Sequence, residues 1–277
     1  MSNQSSVVIE PPEKWPKPHF ISTLRHRDLA YFLSWRDVRI RYKQSLIGFG
    51  WAVLQPLGSM LALTLAFHNI GNVPSEGFPY PVFVLAGIIP WSFFASAVTF
   101  SSASLTGNLS LITKVYFPRV ILPISGVMVG VVDLSIATIL LFGIMALYGI
   151  PPRATALLLP FIALFVQLAA LSFGLWLSAI NVKYRDVHHA LPFLIQLWFF
   201  FTPVIYSGGL PEVSGSLLVI YGLNPLIGAI ELFRWAAIGS PAPPIALIAP
   251  SVVVVGAVFV TGWIYFMKTE QAFADVI

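Results

Sequence analysis

Four charge-free stretches constrain this chain more than any other feature of its sequence. They cover residues 44–75, 77–113, 154–182 and 235–267. A helix of about 20 apolar residues spans the hydrocarbon of a bilayer, so each stretch can hold a crossing. Only 9% of the residues are charged, whereas about a quarter of a soluble domain is charged. A helix satisfies its backbone polar groups within its own segment, as the interior of a bilayer requires, so we predict an all-α integral membrane protein.

Apolar length and turns rich in Gly and Pro divide the sequence into six predicted transmembrane helices. The spans cover residues of about 47–69, 80–105, 119–148, 154–180, 190–206 and 245–267. Thirteen of the fifteen Lys and Arg residues lie in segments on one side of this arrangement, which the positive-inside rule assigns to the cytoplasm. We therefore expect a transmembrane domain at 46–267 between two cytoplasmic tails, residues 1–27 and 268–277.

The apolar segment between the fifth and sixth spans is interrupted by many glycines and prolines. Its two short pieces, at about 213–222 and 225–238, suit a helical hairpin that enters the membrane from outside and returns. Irregular backbone at membrane depth persists only where protein or a water-filled cavity covers it. We predict a re-entrant region at 213–238 that lines a cavity.

A basic amphipathic helix is predicted at residues 28–45, before the first span. Apolar residues such as Phe32 share one side of it, and Arg and Lys residues interleave with them. Such a helix lies in the plane of the membrane interface. Anchoring to lipid headgroups is one interpretation. The alternative is that Arg39, Arg41 and Lys43 bind the phosphate of a lipid-linked substrate, because Arg pairs with phosphate in a bidentate manner.

Several classes of activity lack the residues they need. No Gly-Lys pair occurs, so the chain has no P-loop for ATP. The sequence contains no cysteine, and its five histidines form no His-Glu-x-x-His motif, so we predict no metal site. The net charge of +4 is explained by membrane orientation, which removes the reason to predict nucleic-acid binding.

Asp133 is the one clear ionisable residue in the predicted membrane interior. An intramembrane acid is costly and is a functional candidate, but a single acid does not make a proton relay. We expect Asp133 to have a structural or gating role, through pairing across a dimer interface or hydrogen bonds to Ser and Thr.

Three motifs follow one another along the chain. They are RDVRIRYKQSLIGFGW at 36–51, KVYFPR at 114–119, and YRDV at 184–187 with TPVIY at 202–206. In order and spacing they resemble the membrane permeases of polysaccharide-exporting ABC transporters, over about residues 28–267. The resemblance implies export of O-antigen, capsule or teichoic acid across the bacterial inner membrane. It also implies a homodimer with two cytoplasmic ATPase subunits, which bind ATP and Mg while this chain binds no cofactor.

The resemblance assigns the coupling element to the turn at 107–118. Lys114, Tyr116, Phe117 and Arg119 combine aromatic side chains with flanking charges, as in contacts that carry much binding energy. A plain interfacial turn with aromatic residues at headgroup depth is the alternative.

The resemblance assigns an outer gate to the re-entrant region, with Asn224, Glu231 and Arg234. Glu231 and Arg234 stand three residues apart and can pair on one helix face. Such a pair in a re-entrant helix is either simply stabilising or part of the gate.

A path for a sugar polymer needs flat apolar faces and scattered hydrogen-bonding groups. The sequence contains 22 Phe, 8 Trp and 9 Tyr residues, most of which we expect to face lipid or the interface. We predict that Phe49, Trp51, Trp198 and Tyr206 line the path. A permease for drugs or small lipids is the near alternative. An integral membrane enzyme acting on lipid-linked sugars is another, although only Asp186, His188 and His189 approximate the cluster it needs.

Overall fold

The structure is a computed structural model that describes residues 26–43, 48–71, 73–115, 117–184, 186–207, 216–270 and 273. These residues contain no β-strand, which confirms the all-helical prediction. Their ten α-helices are α1 (Arg27–Lys43), α2 (Trp51–Leu63), α3 (Tyr80–Ala103), α4 (Leu109–Lys114), α5 (Ile121–Leu147), α6 (Leu159–Lys183), α7 (Val187–Phe200), α8 (Ser216–Gly222), α9 (Pro225–Ile238) and α10 (Ile245–Glu270).

Five helical segments are long and apolar enough to cross a membrane. They are Gly48–His68, Tyr80–Ala103, Ile121–Leu147, Ala154–Lys183 and Ile245–Glu270. The predicted first, second, third, fourth and sixth spans correspond to these segments. The predicted fifth span corresponds to α7, whose 14 residues extend about 21 Å at 1.5 Å per residue, short of the hydrocarbon thickness. The count of six spans therefore stays a prediction.

The helix α3 forms the centre of the fold. It contacts α2, α5, α6, α7 and α9, and 78% of its most apolar stretch is buried, against 22% for α10. Phe83, Leu85 and Phe94 of α3 are fully buried. The other helices are therefore arranged around α3, and their outer faces are left to lipid or to another protein.

The first span, Gly48–His68, is the most exposed of the five. Only 6% of its apolar stretch is buried. It consists of a short 3₁₀ turn, α2 with Pro56 inside it, and a π-helical segment at Thr64–Ile70. Proline removes a backbone donor from the helix interior, and π segments are frequent at functional sites. The first span therefore buries less of its surface against the rest of the chain than the other four do.

The region predicted to be re-entrant contains the two short helices α8 and α9, while residues 213–215 lie outside the described part of the chain. Pro225 is the first residue of α9, and the side chain of Asn224 caps it by accepting a hydrogen bond from the Leu226 amide at 3.2 Å. The helix ends at Gly239 with a left-handed φ of 81°, as helix C-termini commonly do. These local signals explain why 225–238 could be predicted. Entry into the membrane from outside stays a prediction.

One hydrophobic cluster joins elements that are far apart in sequence. It contains Leu33 of α1, Ile112 of α4, Phe117 of the following turn, Phe266 of α10 and Phe273. Close-packed interiors transmit strain between the elements that they join. The basic helix, the predicted coupling turn and the end of the last span are therefore held against one another.

Candidate transport and coupling sites

The end of α1 contacts the middle of α5 through a charged cluster. Arg41 Nη1 lies 2.6 Å from Asp133 Oδ2, and the Tyr42 hydroxyl donates a hydrogen bond to Asp133 Oδ1. The Arg41 guanidinium also lies 5.2 Å from the ring centre of Phe100. The expected partners of Asp133 were Ser, Thr or a second protomer, whereas the structure gives it two partners on α1, because α1 packs along α5.

The three residues predicted to bind phosphate do not lie together. Successive helical residues are about 100° apart around the axis, so Arg39 and Lys43 share a face and Arg41 lies nearly opposite. Arg39 and Lys43 are exposed, and the Arg39 guanidinium lies 5.7 Å from the ring centre of Trp35. The charge of Arg41 is instead neutralised by Asp133. The phosphate role stays a prediction, and this geometry favours Arg39 and Lys43 for it.

The buried side of α1 includes small and aliphatic residues and one aromatic residue, Tyr42. Ala30, Leu33 and Val38 are buried, while Phe32 is 64% and Trp35 is 47% exposed. Phe32 therefore does not follow Leu33 into the chain's own core. Exposed aromatic side chains beside basic ones suit the membrane interface, which agrees with the predicted position of this helix.

A cavity of about 300 Å³ with a mixed apolar and polar lining lies between α1, α2, α3 and α5. Its polar lining consists of Arg41, Gln55, Ser59, Ser92, Ser96 and Asp133. Trp51 and Phe93 provide aromatic walls. Sequence reasoning found Arg41, Asp133 and Trp51 but missed the amide and the three hydroxyls. A signal for these four side chains was present in the sequence. Gln55 and Ser59 are four residues apart, as are Ser92 and Ser96, which puts each pair on one helix face.

The four aromatic residues predicted to line a path fall into two separate groups. Phe49 stacks on Tyr42 with ring centres 4.2 Å apart, and Trp51 lines the cavity. Trp198 instead packs on Phe94 and Phe173, with ring centres 5.2 Å and 5.0 Å away. The path role of these residues stays a prediction.

Tyr206 belongs to the second aromatic group. Its hydroxyl accepts a hydrogen bond from the Tyr221 hydroxyl of α8 at 3.3 Å. Its backbone carbonyl also accepts a hydrogen bond from Arg234 of α9, so this residue is held to the predicted gate.

Arg234 is a fully buried residue that holds the turn after α7. Its Nη1 donates to Glu231 Oε1 and to the Tyr206 carbonyl, both at 3.0 Å, and its Nη2 donates to the Val204 carbonyl at 2.7 Å. The guanidinium also lies 3.8 Å from the ring centre of Phe83. The predicted pairing of Glu231 with Arg234 is confirmed, and the structure adds that the pair clamps residues 204–206 against α3.

Asn224 joins the same turn from the other end of α9. Its amide nitrogen donates to Thr202 Oγ1 at 3.1 Å, and its oxygen accepts from Trp198 Nε1 at 3.2 Å. Asn224 and Arg234 therefore both bind the segment at 198–206, whereas Glu231 binds Arg234. Gating by these residues stays a prediction.

The predicted coupling residues differ in their availability to a partner. Lys114 at the end of α4 is exposed, while Phe117 is buried in the cluster with Phe266. The Arg119 amide donates to Glu270 Oε1 at 2.9 Å, and its Nη1 donates to the Glu270 carbonyl at 2.5 Å. Tyr116 lies outside the described residues. Of the described coupling residues, Lys114 is the exposed charged one. Phe117 and Arg119 instead hold the turn against α10.

Metal-binding groups do not gather anywhere in the described part of the chain. Groups of three or more His, Asp or Glu are absent among those residues. His188 and His189 contact each other, with ring centres 5.5 Å apart. Metal chemistry therefore gains no support from the described residues.

Similarity to known proteins covers most of the chain. Residues 29–238 match the family model described as ABC-2 type transporter. The O-antigen export system permease protein RfbA of Myxococcus xanthus is 30% identical over 239 residues, covering 84% of this chain and 90% of that protein. A protein of the same name from Klebsiella pneumoniae is 28% identical, covering 75% of this chain and 79% of that protein. The polysialic acid transport protein KpsM of Escherichia coli is 25% identical, with the same coverage of 75% and 79%. The chain therefore belongs to the ABC-2 type transporter family of membrane proteins.

Proposed function

We propose that this chain is the membrane permease of an ABC exporter that moves a lipid-linked polysaccharide of the O-antigen type across the bacterial inner membrane. The observation that carries the proposal is the extent of the similarity to O-antigen export permeases. The stretch of 29–238 matched by the family includes all the predicted site residues. The chemistry inside the membrane agrees, because the predicted path residues offer aromatic faces and the Arg41–Asp133 and Glu231–Arg234 charges are paired, which suits a sugar chain better than an ion.

A homodimer is part of the proposal. The first span is 6% buried, and it carries the polar side chains Gln55 and Ser59 at membrane depth. Polar groups facing lipid are costly, whereas polar groups facing a second protein chain or a water-filled path are tolerated. We place a second copy of this chain, or the path between the two copies, against this span.

ATP hydrolysis is assigned to two separate cytoplasmic subunits. They bind ATP and Mg, while this chain supplies the contact surface. The exposed residues Lys114 and Val115 at the end of α4 form that surface. Because Phe117 and Leu33 belong to one cluster, movement of the turn would be passed to α1 through this cluster.

Both termini are assigned to the cytoplasm. This orientation follows from the six-span arrangement and the position of thirteen of the fifteen basic residues. It places α1, with Arg39 and Lys43, at the inner leaflet, where a lipid-linked anion synthesised inside the cell would be met.

The test is deletion of the chain's gene in its native host, followed by separate measurement of surface polysaccharide and of cell-internal lipid-linked polymer. We expect surface polymer to disappear and internal polymer to accumulate. Complementation with the wild-type chain should restore export, and complementation in a strain whose partner ATPase is inactive should not. Unchanged surface polysaccharide after deletion would refute the proposal.

A further inference from the structure

Three polar side chains that line the cavity have no hydrogen-bond partner among the described residues. Many hydroxyls on the spanning helices instead donate to a carbonyl one turn earlier, as Thr138 does to Leu134 at 2.7 Å. Gln55, Ser59 and Ser92 make no hydrogen bond to any described residue, and all three line the cavity between α1, α2, α3 and α5. Polar groups in an apolar environment require partners, so the cavity is expected to contain water or a polar ligand.

The charges of the cavity favour a neutral ligand. Arg41 and Asp133 line it as an ion pair of 2.6 Å, and Tyr42 donates to the same carboxylate. An anion would have to compete with Asp133 for Arg41, and a cation would have to compete with Arg41 for Asp133. A ligand rich in hydroxyl groups can accept from the guanidinium and donate to the carboxylate without separating them.

The aromatic walls favour a ligand with a flat apolar face. Trp51 is 53% exposed and lines the cavity together with the buried ring of Phe93. A sugar ring has C–H groups on its faces and hydroxyls around its edge, which matches aromatic walls with polar groups between them. A volume of about 300 Å³ is at the lower end of small-ligand pockets.

We propose that this cavity binds a neutral saccharide unit of the exported polymer, with Gln55, Ser59 and Ser92 as hydrogen-bonding residues and the Arg41–Asp133 pair as a neutral polar wall. The inference rests on the proposed function and assigns a site within it. It also takes Arg41 out of the predicted phosphate site, which leaves the lipid phosphate to Arg39 and Lys43 on the opposite face of α1.

The test uses the absence of cysteine from the sequence. Ser92→Cys places a single thiol in the cavity, and Ser75→Cys in the turn before α3 is the matched control outside it. Each variant is purified with its partner ATPase, placed in lipid nanodiscs, and treated with a water-soluble thiosulfonate. One probe is the oligosaccharide repeat unit released from the host's own surface polymer, and the other is undecaprenyl phosphate. Ser59→Cys replaces Ser92→Cys if the latter does not assemble.

We expect the oligosaccharide to slow modification at Ser92→Cys, by about tenfold when its concentration is about ten times Kd, and to leave Ser75→Cys unchanged. Undecaprenyl phosphate should have no effect at either position. Adding Asp133→Asn, which removes the negative charge beside Arg41, should weaken protection by the oligosaccharide and introduce protection by undecaprenyl phosphate.

Protection by undecaprenyl phosphate alone, or equal protection by both probes, would overturn the saccharide assignment. A thiol at Ser92→Cys that never reacts would overturn it as well, because the cavity would then exclude water. Export by the wild-type chain in the same host reports the proposed function separately. Normal export without any protection at Ser92→Cys therefore rejects the cavity site and leaves the exporter proposal standing.

Discussion

The buried pair Glu231–Arg234 gives the sharpest prediction about stability. Arg234 is 0% and Glu231 is 5% exposed, and the guanidinium also donates to the carbonyls of Val204 and Tyr206. Glu231→Gln keeps the size of the side chain but removes its charge, so Arg234 remains in the interior without a counter-ion. A buried charge without compensation is strongly destabilising.

The expected cost of Glu231→Gln is about 3–5 kcal/mol, the range found when one partner of a buried ion pair is removed. For a chain of this size that corresponds to a fall in melting temperature on the order of 10 °C. The assay is thermal unfolding of the detergent-solubilised chain, followed by size-exclusion chromatography. Asp28→Asn is the matched control, because its pair with Arg27 has side chains 95% and 85% exposed and should contribute little.

A charge swap tests whether Arg234 acts through charge alone. Combining Glu231→Arg with Arg234→Glu restores opposite charges, but a carboxylate cannot donate to the carbonyls of Val204 and Tyr206. We expect the double variant to stay unstable. Recovery of the wild-type melting temperature by the swap, or an unchanged melting temperature in Glu231→Gln, would refute the clamp that we assign to Arg234.

Three further predictions concern close packing, coupling and the lipid surface. Gly87→Ala would place its Cβ 2.7 Å from an arginine nitrogen and a backbone carbonyl oxygen, so we expect the free energy of unfolding to fall by about 1–3 kcal/mol. Gly143→Ala is the control, because a Cβ there would meet nothing within 4 Å, and it should leave the melting temperature unchanged. Lys114→Gln should reduce co-purification of the ATPase and leave the melting temperature unchanged. Phe117→Ala should instead lower the free energy of unfolding by about 3–5 kcal/mol. The reverse pattern would contradict the coupling surface. Arg39→Gln should weaken binding of added anionic lipid to the detergent-solubilised chain by about fivefold, since one basic residue contributes about 1 kcal/mol there, and equal binding would argue against a lipid-facing role.

Local features of the site were open to prediction from the sequence. Asn224 before Pro225 and Gly239 after the helix mark the ends of α9, because caps depend on residues next to the helix. Glu231 and Arg234 stand three residues apart, so their pairing follows from helix geometry alone. Asp133 could be recognised as unusual, since an acid in an apolar span stands out.

The partners of these residues were not open to prediction in the same way. Arg41 and Asp133 are separated by about ninety positions, and their contact exists because α1 lies along α5. The alternation of Arg39 and Arg41 suggested one phosphate site, whereas the helix turns these residues to nearly opposite sides. Phe117 looked available to a partner until the structure placed it beside Phe266.

The sequence by itself determined that this chain is helical and lies in a membrane. It did not determine which helix lies at the centre. The last span is more apolar than α3, yet 22% of its apolar stretch is buried against 78% for α3. Lipid and protein interior are both apolar environments, so a lipid-facing surface and a buried one use the same residues. Only the tertiary structure, through close packing around α3 and the hydrogen bonds of Arg234, decided which surfaces face the chain itself.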